Sequence, residues 1–137
     1  MSIIKISVIT ITYNAENVIM RTLDSVLKQT FSNIEHIIID GASKDSTLLA
    51  EREYESRSCS TNNGHEIKII SEPDKGLYDA MNKGIGKATG NYLVFLNAGD
   101  VFPSSSTLET IANMVGEGEE LPGVLYGNTD IVDRSEE

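Results

Sequence analysis

Apolar and polar positions alternate between two kinds of segment along this chain. Runs of consecutive apolar, largely β-branched residues predict strands at residues 6–11, 34–39 and 67–70, from residue 91 onward, and at 124–126 and 131–132. Apolar residues at three- and four-residue steps predict helices over residues 15–30, 45–57, 77–88 and 108–115. Strands that alternate with helices indicate βαβ units, so we expect an α/β fold with a mostly parallel sheet.

Three of the predicted strands end in polar or acidic residues. The first runs into residues 12–14, the second into Asp40 and a small-residue turn, and the strand from residue 91 into residues 97–100. Open parallel sheets bind ligands beyond the carboxyl ends of their strands. We therefore expect these strand ends to border one ligand-binding crevice.

Capping residues are predicted at the N-termini of the first two helices. Asn14 is placed to cap the first helix, and Ser43 or Asp45 to cap the second. The second helix has few apolar residues, which predicts an exposed helix, and residues 58–64 are predicted to form a loop.

Composition limits the classes of function. The chain has 137 residues, which fits one domain, and its formal charge is −10 at pH 7. This charge argues against nucleic acid as a partner, because phosphate backbones are held by clustered lysine and arginine. An anionic ligand would need a divalent cation or a helix N-terminus to offset the charge.

The compartment follows from the cysteine and apolar content. Cys59 is the single cysteine, so no intramolecular disulfide can form, and no n-region or apolar h-region typical of a signal peptide follows Met1. We expect a cytoplasmic protein. No apolar run approaches the roughly 18 residues of a membrane span, so any membrane association would be peripheral.

Several motifs occur in an order that points to one family. They occupy residues 8–14, 22–30, 39–47 and 96–100, and together they resemble the N-terminal half of a family 2 glycosyltransferase. Residues 72–84 are similar to those of bacterial enzymes of capsular or exopolysaccharide assembly. The resemblance spans essentially the whole chain.

The resemblance implies a GT-A (Rossmann-like) fold, a three-layer sandwich around a mostly parallel sheet. Residues 1–137 would form the nucleotide-sugar-binding half of that domain. The last predicted strands run into residues 134–137 without a closing helix, so the sequence is expected to stop before the acceptor-binding half.

The implied activity is transfer of a sugar from a nucleotide-sugar donor, with a UDP-sugar favoured, to a saccharide or lipid-linked acceptor. It would be inverting and would depend on Mg²⁺ or Mn²⁺. The implied process is cell-surface polysaccharide biosynthesis, in the cytoplasm at the inner face of the membrane.

The resemblance also implies a nucleotide site. Tyr13 would stack on the base, Asp40 would accept the imino N–H of the base, and Asp79 would touch the sugar or ribose. Each has a structural alternative: Tyr13 could close the edge of the core, Asp40 could form a turn, and Asp79 could complement a helix dipole. The full expected nucleotide-binding set is Ile11, Thr12, Tyr13, Asn14, Asp40, Lys75 and Asp79, with Lys75 facing the phosphates.

Asp100 is the expected metal ligand. The family usually carries an Asp-x-Asp triplet at this strand end, but here Asn97 and Gly99 occupy the two acidic positions. Either Asp100 reaches the ion through a bulged turn at Gly99, or the metal is bound weakly and partly by the nucleotide. A surface turn capped by Asp100 is the structural alternative.

No catalytic base is identified in this chain. Inverting transfer needs a general base near the attacking hydroxyl, and in the family this acid lies well beyond the metal motif. Asp130 and Asp133 are the only late acids on strand-like sequence, and they come too early for that role. We expect sugar transfer by these residues alone to be absent or feeble.

Rival functions make different demands on the same sheet. A nucleotidyltransferase should carry a glycine-rich, basic phosphate loop after the first strand, and a flavodoxin-like receiver should carry paired acids there. Residues 12–16 provide neither. A non-catalytic nucleotide-binding module remains compatible with Asn97 and Gly99.

Overall fold

The computed structural model describes residues 4–116 and 124–126. Its strands are β1 (Ile6–Thr12), β2 (Ile34–Asp40), β3 (Glu66–Ser71), β4 (Tyr92–Phe95) and β5 (Val124–Tyr126). Its helices are α1 (Ile19–Leu27), α2 (Thr47–Thr61), α3 (Leu77–Lys87) and α4 (Thr107–Gly116). The expected α/β alternation is confirmed. The strand predicted at 131–132 lies outside the described residues.

The strands form one sheet in the order β3-β2-β1-β4-β5, and every neighbouring pair is parallel. The chain runs outward from β1 to β3 and then returns to place β4 on the other side of β1. This reversal makes a topological switch point between β1 and β4. The register pairs Thr12 with Asp40 and Asp40 with Ser71, so these polar residues meet at the carboxyl edge.

Helices cover both faces of the sheet, as the three-layer expectation requires. Alternate residues of a strand point to opposite faces. Accordingly Val8 packs with Val26 of α1 and Leu108 of α4, whereas Ile9 packs with Ala80 of α3 on the other face. The β1 and β2 side chains are almost all buried, which explains their continuous apolar runs.

Gly84 lets α3 approach the sheet closely. A Cβ at this position would lie 2.5 Å from Cγ2 of Ile9 and 3.6 Å from Cγ1 of Ile39. Both neighbours belong to the buried core under α3. The helix therefore sits at a distance from β1 and β2 that only a residue without a side chain permits.

A buried carboxylate closes the amino edge of the sheet. Glu35 accepts hydrogen bonds from Ser7 Oγ at 2.7 Å, from the amide and hydroxyl of Thr89 at 2.9 Å each, and from Lys68 Nζ at 2.5 Å. Burial alone would raise the pKa of Glu35, but the hydrogen bonds from Lys68, Thr89 and Ser7 outweigh it and lower this pKa to about 2. The carboxylate is thus held ionised by β1, β3 and the segment before β4.

The first helix begins later than predicted. Residues 15–18 form a turn, with Val18 N–H donating to Ala15 O at 3.0 Å, and α1 starts at Ile19. The prediction that Asn14 caps α1 is wrong. Asn14 adopts a left-handed conformation, with φ 47°, and its Oδ1 accepts the amide of Lys44 at 2.8 Å instead.

The second helix also departs from its prediction. It continues through most of the predicted 58–64 loop, and its N-cap is Ser46 rather than Ser43 or Asp45. It is not simply exposed, because Tyr54 and the polar residues of one stripe are buried. The buried residues of α2 are Thr47, Glu51, Tyr54 and Ser58.

No helix in the described part of the chain is both long and apolar enough to cross a bilayer.

Candidate functional site

The site is built on a buried aspartate at the end of β2. Asp40 Oδ1 accepts hydrogen bonds from Thr12 Oγ1 at 2.9 Å and Ser43 Oγ at 2.6 Å. Its Oδ2 accepts the Ser43 amide at 2.8 Å and Ser71 Oγ at 2.8 Å. A carboxylate offers about four acceptor positions, so the protein itself fills those of Asp40.

Thr12 joins this aspartate to a second buried acid. Thr12 Oγ1 lies 2.8 Å from Glu51 Oε2 of α2, and the Glu51 side chain is completely buried. Glu51 Oε1 has no hydrogen-bond partner among the residues that the structure describes. We call the group Thr12, Asp40, Ser43, Glu51 and Ser71 the cleft floor.

The loops after β1 and β2 are tied together above this floor. The Asn14 amide donates to Ser43 Oγ at 2.9 Å, and Ser43 Oγ in turn donates to Asp40. Asn14 Oδ1 completes the link by accepting the Lys44 amide. The left-handed backbone conformation of Asn14 therefore accompanies two hydrogen bonds that join the loop after β1 to the loop after β2.

A cleft of about 480 Å³ opens beside the floor at the carboxyl edge of the sheet. Such a volume is in the range of small-ligand sites. Its lining residues come from the loops after β1, β2 and β3, namely Tyr13, Gly41, Ala42, Lys44, Pro73, Asp74 and Gly76.

Tyr13 and Asp74 face the same point of the cleft. A Cβ built on Gly41 would lie 2.8 Å from Asp74 Oδ2 and 3.4 Å from Tyr13 Cδ1. The Tyr13 side chain is 57% exposed. Asp74 Oδ1 accepts the Gly76 amide at 3.1 Å, while Oδ2 accepts no hydrogen bond from residues 4–116. The site thus offers an aromatic ring beside a carboxylate oxygen with acceptor capacity left.

Lys75 and Asp79 form the entry to α3. The Lys75 amide donates to Asp79 Oδ2 at 2.9 Å, and Lys83 Nζ lies 3.5 Å from the same oxygen. The hydrogen bond from Lys75, and then the charge of Lys83, lower the pKa of Asp79. This geometry is the helix-start arrangement considered as the structural alternative for Asp79. The Lys75 side chain is exposed next to the cleft.

Asp100 lies in a tight turn after β4. Gly99 has φ 98°, and the Asp100 amide donates to Asn97 O at 2.9 Å. The turn is fixed to α1 because the Gly99 amide donates to Thr22 Oγ1 at 2.7 Å. Over residues 4–116 and 124–126, no three His, Cys, Asp or Glu side chains are grouped to hold a metal ion.

The predicted site residues therefore separate into several positions. Tyr13 lines the cleft, and Thr12 and Asp40 are buried at the strand ends directly before the lining residues Tyr13 and Gly41. Ile11 is half-buried and packs with the core under α3. Their roles toward a nucleotide stay predictions. Asp130 and Asp133 lie outside the described residues.

Sequence reasoning missed Asp74 and Glu51. Asp74 follows Pro73 directly after β3, so the strand-end rule that identified Asp40 applied to it as well. Glu51 belongs to a stripe with Thr47, Tyr54 and Ser58, at steps of four, three and four residues. The helical spacing of these buried positions is present in the sequence, but three of the four residues are polar, so a search for apolar periodicity does not detect it.

Two histidines take no part in this site. His36 is buried, with Thr10 Oγ1 at 2.8 Å from Nε2 and Tyr54 Oη at 2.7 Å from Nδ1. Burial, and next the nearby His65, lower the pKa of His36 to about 3, so the ring is neutral. His65 contacts Phe31 O at 3.0 Å. Neither histidine has metal-ligand spacing in the sequence to the other or to Cys59, which predicts structural or exposed residues, and these contacts agree with a structural role.

The switch-point sheet and the cleft at its carboxyl edge define a doubly wound α/β protein with a ligand site in the usual position. Comparison with known sequences makes this specific. The chain belongs to glycosyl transferase family 2, which it matches over residues 7–134.

The curated relatives are named as glycosyltransferases. The chain is 36% identical over 129 residues to a PGL/p-HBAD biosynthesis glycosyltransferase of Mycobacterium bovis, covering 94% of this chain and 47% of the relative. It is 33% identical over 96 residues to the glycosyltransferase GlyA of Streptococcus pneumoniae, covering 70% of this chain and 13% of that protein. The chain thus spans about half the length, or less, of these relatives.

Solved structures share the fold. TarS 1–349 of S. aureus in complex with UDP-GlcNAc superposes with a TM-score of 0.69 at 28% identity, covering 82% of this chain and 31% of TarS. The mannosyltransferase PcManGT of Pyrobaculum calidifontis, in complex with GDP-Man and Mn²⁺, gives a TM-score of 0.67 at 29% identity, covering 82% of this chain and 31% of that enzyme. The expected GT-A fold is confirmed.

Proposed function

We propose that this chain binds a nucleoside-diphosphate sugar in the cleft and forms the donor-binding part of an inverting, divalent-metal-dependent glycosyltransferase. The observation that carries the proposal is the pairing of the exposed Tyr13 ring with the Asp74 carboxylate at the switch-point edge. TarS with UDP-GlcNAc and PcManGT with GDP-Man support this class of donor.

The base would bind between aromatic and acidic groups. Stacking of a base on an aromatic ring contributes about 1–3 kcal/mol, and Tyr13 offers such a ring. Asp74 Oδ2 can accept the imino N–H of uracil, thymine or guanine. Cytosine presents a lone pair at the equivalent ring position, so the carboxylate would oppose it. Asp40 remains the alternative acceptor, although its oxygens already hold four protein donors.

The diphosphate needs positive charge in a protein of formal charge −10. Lys44 lines the cleft, Lys75 is exposed beside it, and α3 begins directly after the cleft residue Gly76. These groups can face the phosphates through their charges and through helix amides. Asp79 would then order the start of α3. Contact with the sugar or the ribose is the alternative role for this side chain.

A divalent cation fits the Asp100 turn only together with the nucleotide. Mg²⁺ is commonly held by one or two carboxylates, phosphate oxygens and waters, and Asp100 supplies one carboxylate. The complex of PcManGT with GDP-Man and Mn²⁺ supports a divalent ion beside the nucleotide. When bound, the ion would neutralise charge on the diphosphate leaving group. We therefore expect metal binding to depend on the nucleotide.

The acceptor is proposed to be a growing saccharide or a lipid-linked sugar in cell-surface polysaccharide biosynthesis, at the inner face of the membrane. The PGL/p-HBAD relative supports a biosynthetic glycosyltransferase. The described residues supply a donor site, and no catalytic base is assigned among them. We expect these residues alone to bind donor and to transfer sugar feebly or not at all; efficient turnover would contradict this assignment.

Calorimetric titration with UDP, with and without Mn²⁺, tests the proposal. We expect Asp74→Asn and Tyr13→Ala each to weaken UDP about tenfold or more, by loss of a charge-assisted hydrogen bond or of stacking. Asp100→Ala should remove the enhancement by Mn²⁺. CDP should bind the wild type more weakly than UDP, and the exposed Glu53→Gln should change nothing.

The outcomes separate the candidate acceptors. If Asp40→Asn, still folded, loses UDP while Asp74→Asn retains it, the base contact belongs to Asp40 as the sequence predicted. If UDP, GDP and dTDP all fail to bind, the proposed donor site is wrong.

A further inference from the structure

One hydroxyl in the cleft floor lies between two buried carboxyl groups. Thr12 Oγ1 is 2.9 Å from Asp40 Oδ1 and 2.8 Å from Glu51 Oε2. A threonine hydroxyl carries one hydrogen and can donate to only one of them. The other contact is a hydrogen bond only if that carboxyl group is itself protonated and donates to Thr12.

The surroundings assign the proton to Glu51. Asp40 receives two donors from Ser43 and one from Ser71 besides Thr12, and such a set stabilises a carboxylate. Glu51 Oε1 has no partner among the described residues, and no ion pair of Glu51 occurs there. A charge on a fully buried, unpaired oxygen would be costly.

Burial and the charge of Asp40 favour the same assignment. Burial is the largest effect and raises the pKa of Glu51 to about 7. A hydrogen bond donated by Thr12 would lower it, the charge of Asp40 raises it, and Arg52 and Asp45 have smaller opposing effects. Asp24 of α1 pairs with Arg57 of α2 at 2.7 Å.

We propose that Glu51 is a positioning residue for the donor site, whose neutral carboxyl group donates to Thr12 so that Thr12 can donate to Asp40. This inference rests on the proposed function. The hydrogen bonds of Asp40 and Ser43 couple the protonation state of Glu51 to the Asn14 loop, next to Tyr13 in the cleft. Removal of the proton leaves two carboxylates facing one hydroxyl, and their repulsion displaces the loops that line the cleft.

The test is the pH dependence of UDP affinity between pH 6 and pH 8.5. For the wild type, loss of the proton is expected to weaken UDP about tenfold, the effect of losing one hydrogen bond to a charged group. Glu51→Gln should keep its affinity across this range, because its amide donates to Thr12 at every pH. Glu53→Gln, an exposed acid-to-amide change on the same helix, should follow the wild type. UDP's own titration is common to all variants and cancels.

Carbon-13 NMR of the glutamate carboxyl groups, without ligand, supplies an independent reading. The resonance that the wild type shows and Glu51→Gln lacks belongs to Glu51, and it should titrate near neutral pH. If that resonance titrates at the acidic pKa of an ordinary glutamate, the inference is overturned. The inference is also overturned if the UDP affinities of the wild type and of Glu51→Gln change with pH in parallel. It is overturned as well if Glu51→Gln binds UDP as weakly as Glu51→Ala does. If no nucleotide binds at any pH, the proposed function fails and this inference with it, whereas pH-independent binding removes this inference alone.

Discussion

Glu35 shows how a single buried carboxylate makes stability depend on pH. Its folded pKa is about 2, below an unfolded value of about 4.5. A group with a lowered pKa stabilises the fold above its unfolded pKa, and this contribution is lost as pH falls through the folded pKa. The contribution of Glu35 should therefore be complete above pH 5 and decline toward pH 2.

Glu35→Gln should lower the free energy of unfolding by about 1.5–3 kcal/mol at pH 7, because hydrogen bonds to a charged group are lost. The difference from the wild type should shrink at pH 3. Urea unfolding at the two pH values measures this. Glu66→Gln is the control, because the exposed Glu66 pairs with Lys5 and Lys68, which also pair with Glu35. Its loss should cost little. An equal deficit of Glu35→Gln at both pH values would contradict the assignment.

At the scale of single residues, the sequence predicted which residues lie at the carboxyl edge but not where their side chains point. The strand-end rule correctly brought Thr12 and Asp40 to one place. It could not show that Asp40 is enclosed by donors from three segments while Asp74 keeps an oxygen toward the cleft. That distinction depends on contacts between residues far apart in sequence.

At the scale of elements, α2 shows the limit of reading apolar periodicity. Its buried stripe carries Thr47, Glu51 and Ser58 beside Tyr54, so the helix resembles an exposed one in sequence. Polar residues can occupy a buried stripe when the sheet beneath provides partners. Here Thr12 lies opposite Glu51, and His36 lies opposite Tyr54. Only the assembled layers reveal such partners.

The contact between α3 and the sheet gives a prediction for an element. Gly84→Ala should lower the free energy of unfolding by about 1–3 kcal/mol, because the new methyl group meets Cγ2 of Ile9 in a filled core. The gain in helix propensity of up to about 1 kcal/mol offsets only part of this. Chemical denaturation measures the difference.

Gly86→Ala on the same helix is the matched control. Apart from the chain neighbours and the backbone of α3 itself, no heavy atom of the described residues lies within 4 Å of a Cβ built there, so alanine should be neutral or stabilising by about 0.5–1 kcal/mol. If both alanine variants had the same stability, the close approach of α3 would not be the constraint that we describe.

At the scale of the whole molecule, the fold was predictable because the strand and helix periods alternate clearly, and the family motifs gave the GT-A architecture. The proposed metal site was less predictable. Asn97 and Gly99 replace the usual acids, and the described residues contain no ready group of three ligands around Asp100. A ligand set completed by the nucleotide cannot be read from the protein sequence.

The net charge gives a prediction for the molecule as a whole. A formal charge of −10 destabilises the compact state by self-repulsion. Raising NaCl from about 10 mM to about 150 mM shortens the Debye length from about 30 Å to about 8 Å. We expect the thermal unfolding midpoint to rise by a few degrees, measured by circular dichroism.

The exposed Glu53→Lys, which removes two units of net negative charge, should reduce this rise. A fall of the midpoint with salt would show instead that local pairs such as Lys68–Glu35 dominate the electrostatic contribution to stability.

The cleft floor has a consequence for how such a site could be altered. Its hydrogen bonds join the ends of β1, β2 and β3, whereas Tyr13 and Asp74 stand on the adjoining loops. The strand ends therefore supply the hydrogen-bonded frame, whereas the loops carry the side chains proposed to contact the base. Residues 73–76 lie outside this hydrogen-bonded frame, so under the proposed function a new base preference can be sought there while the frame is left unchanged.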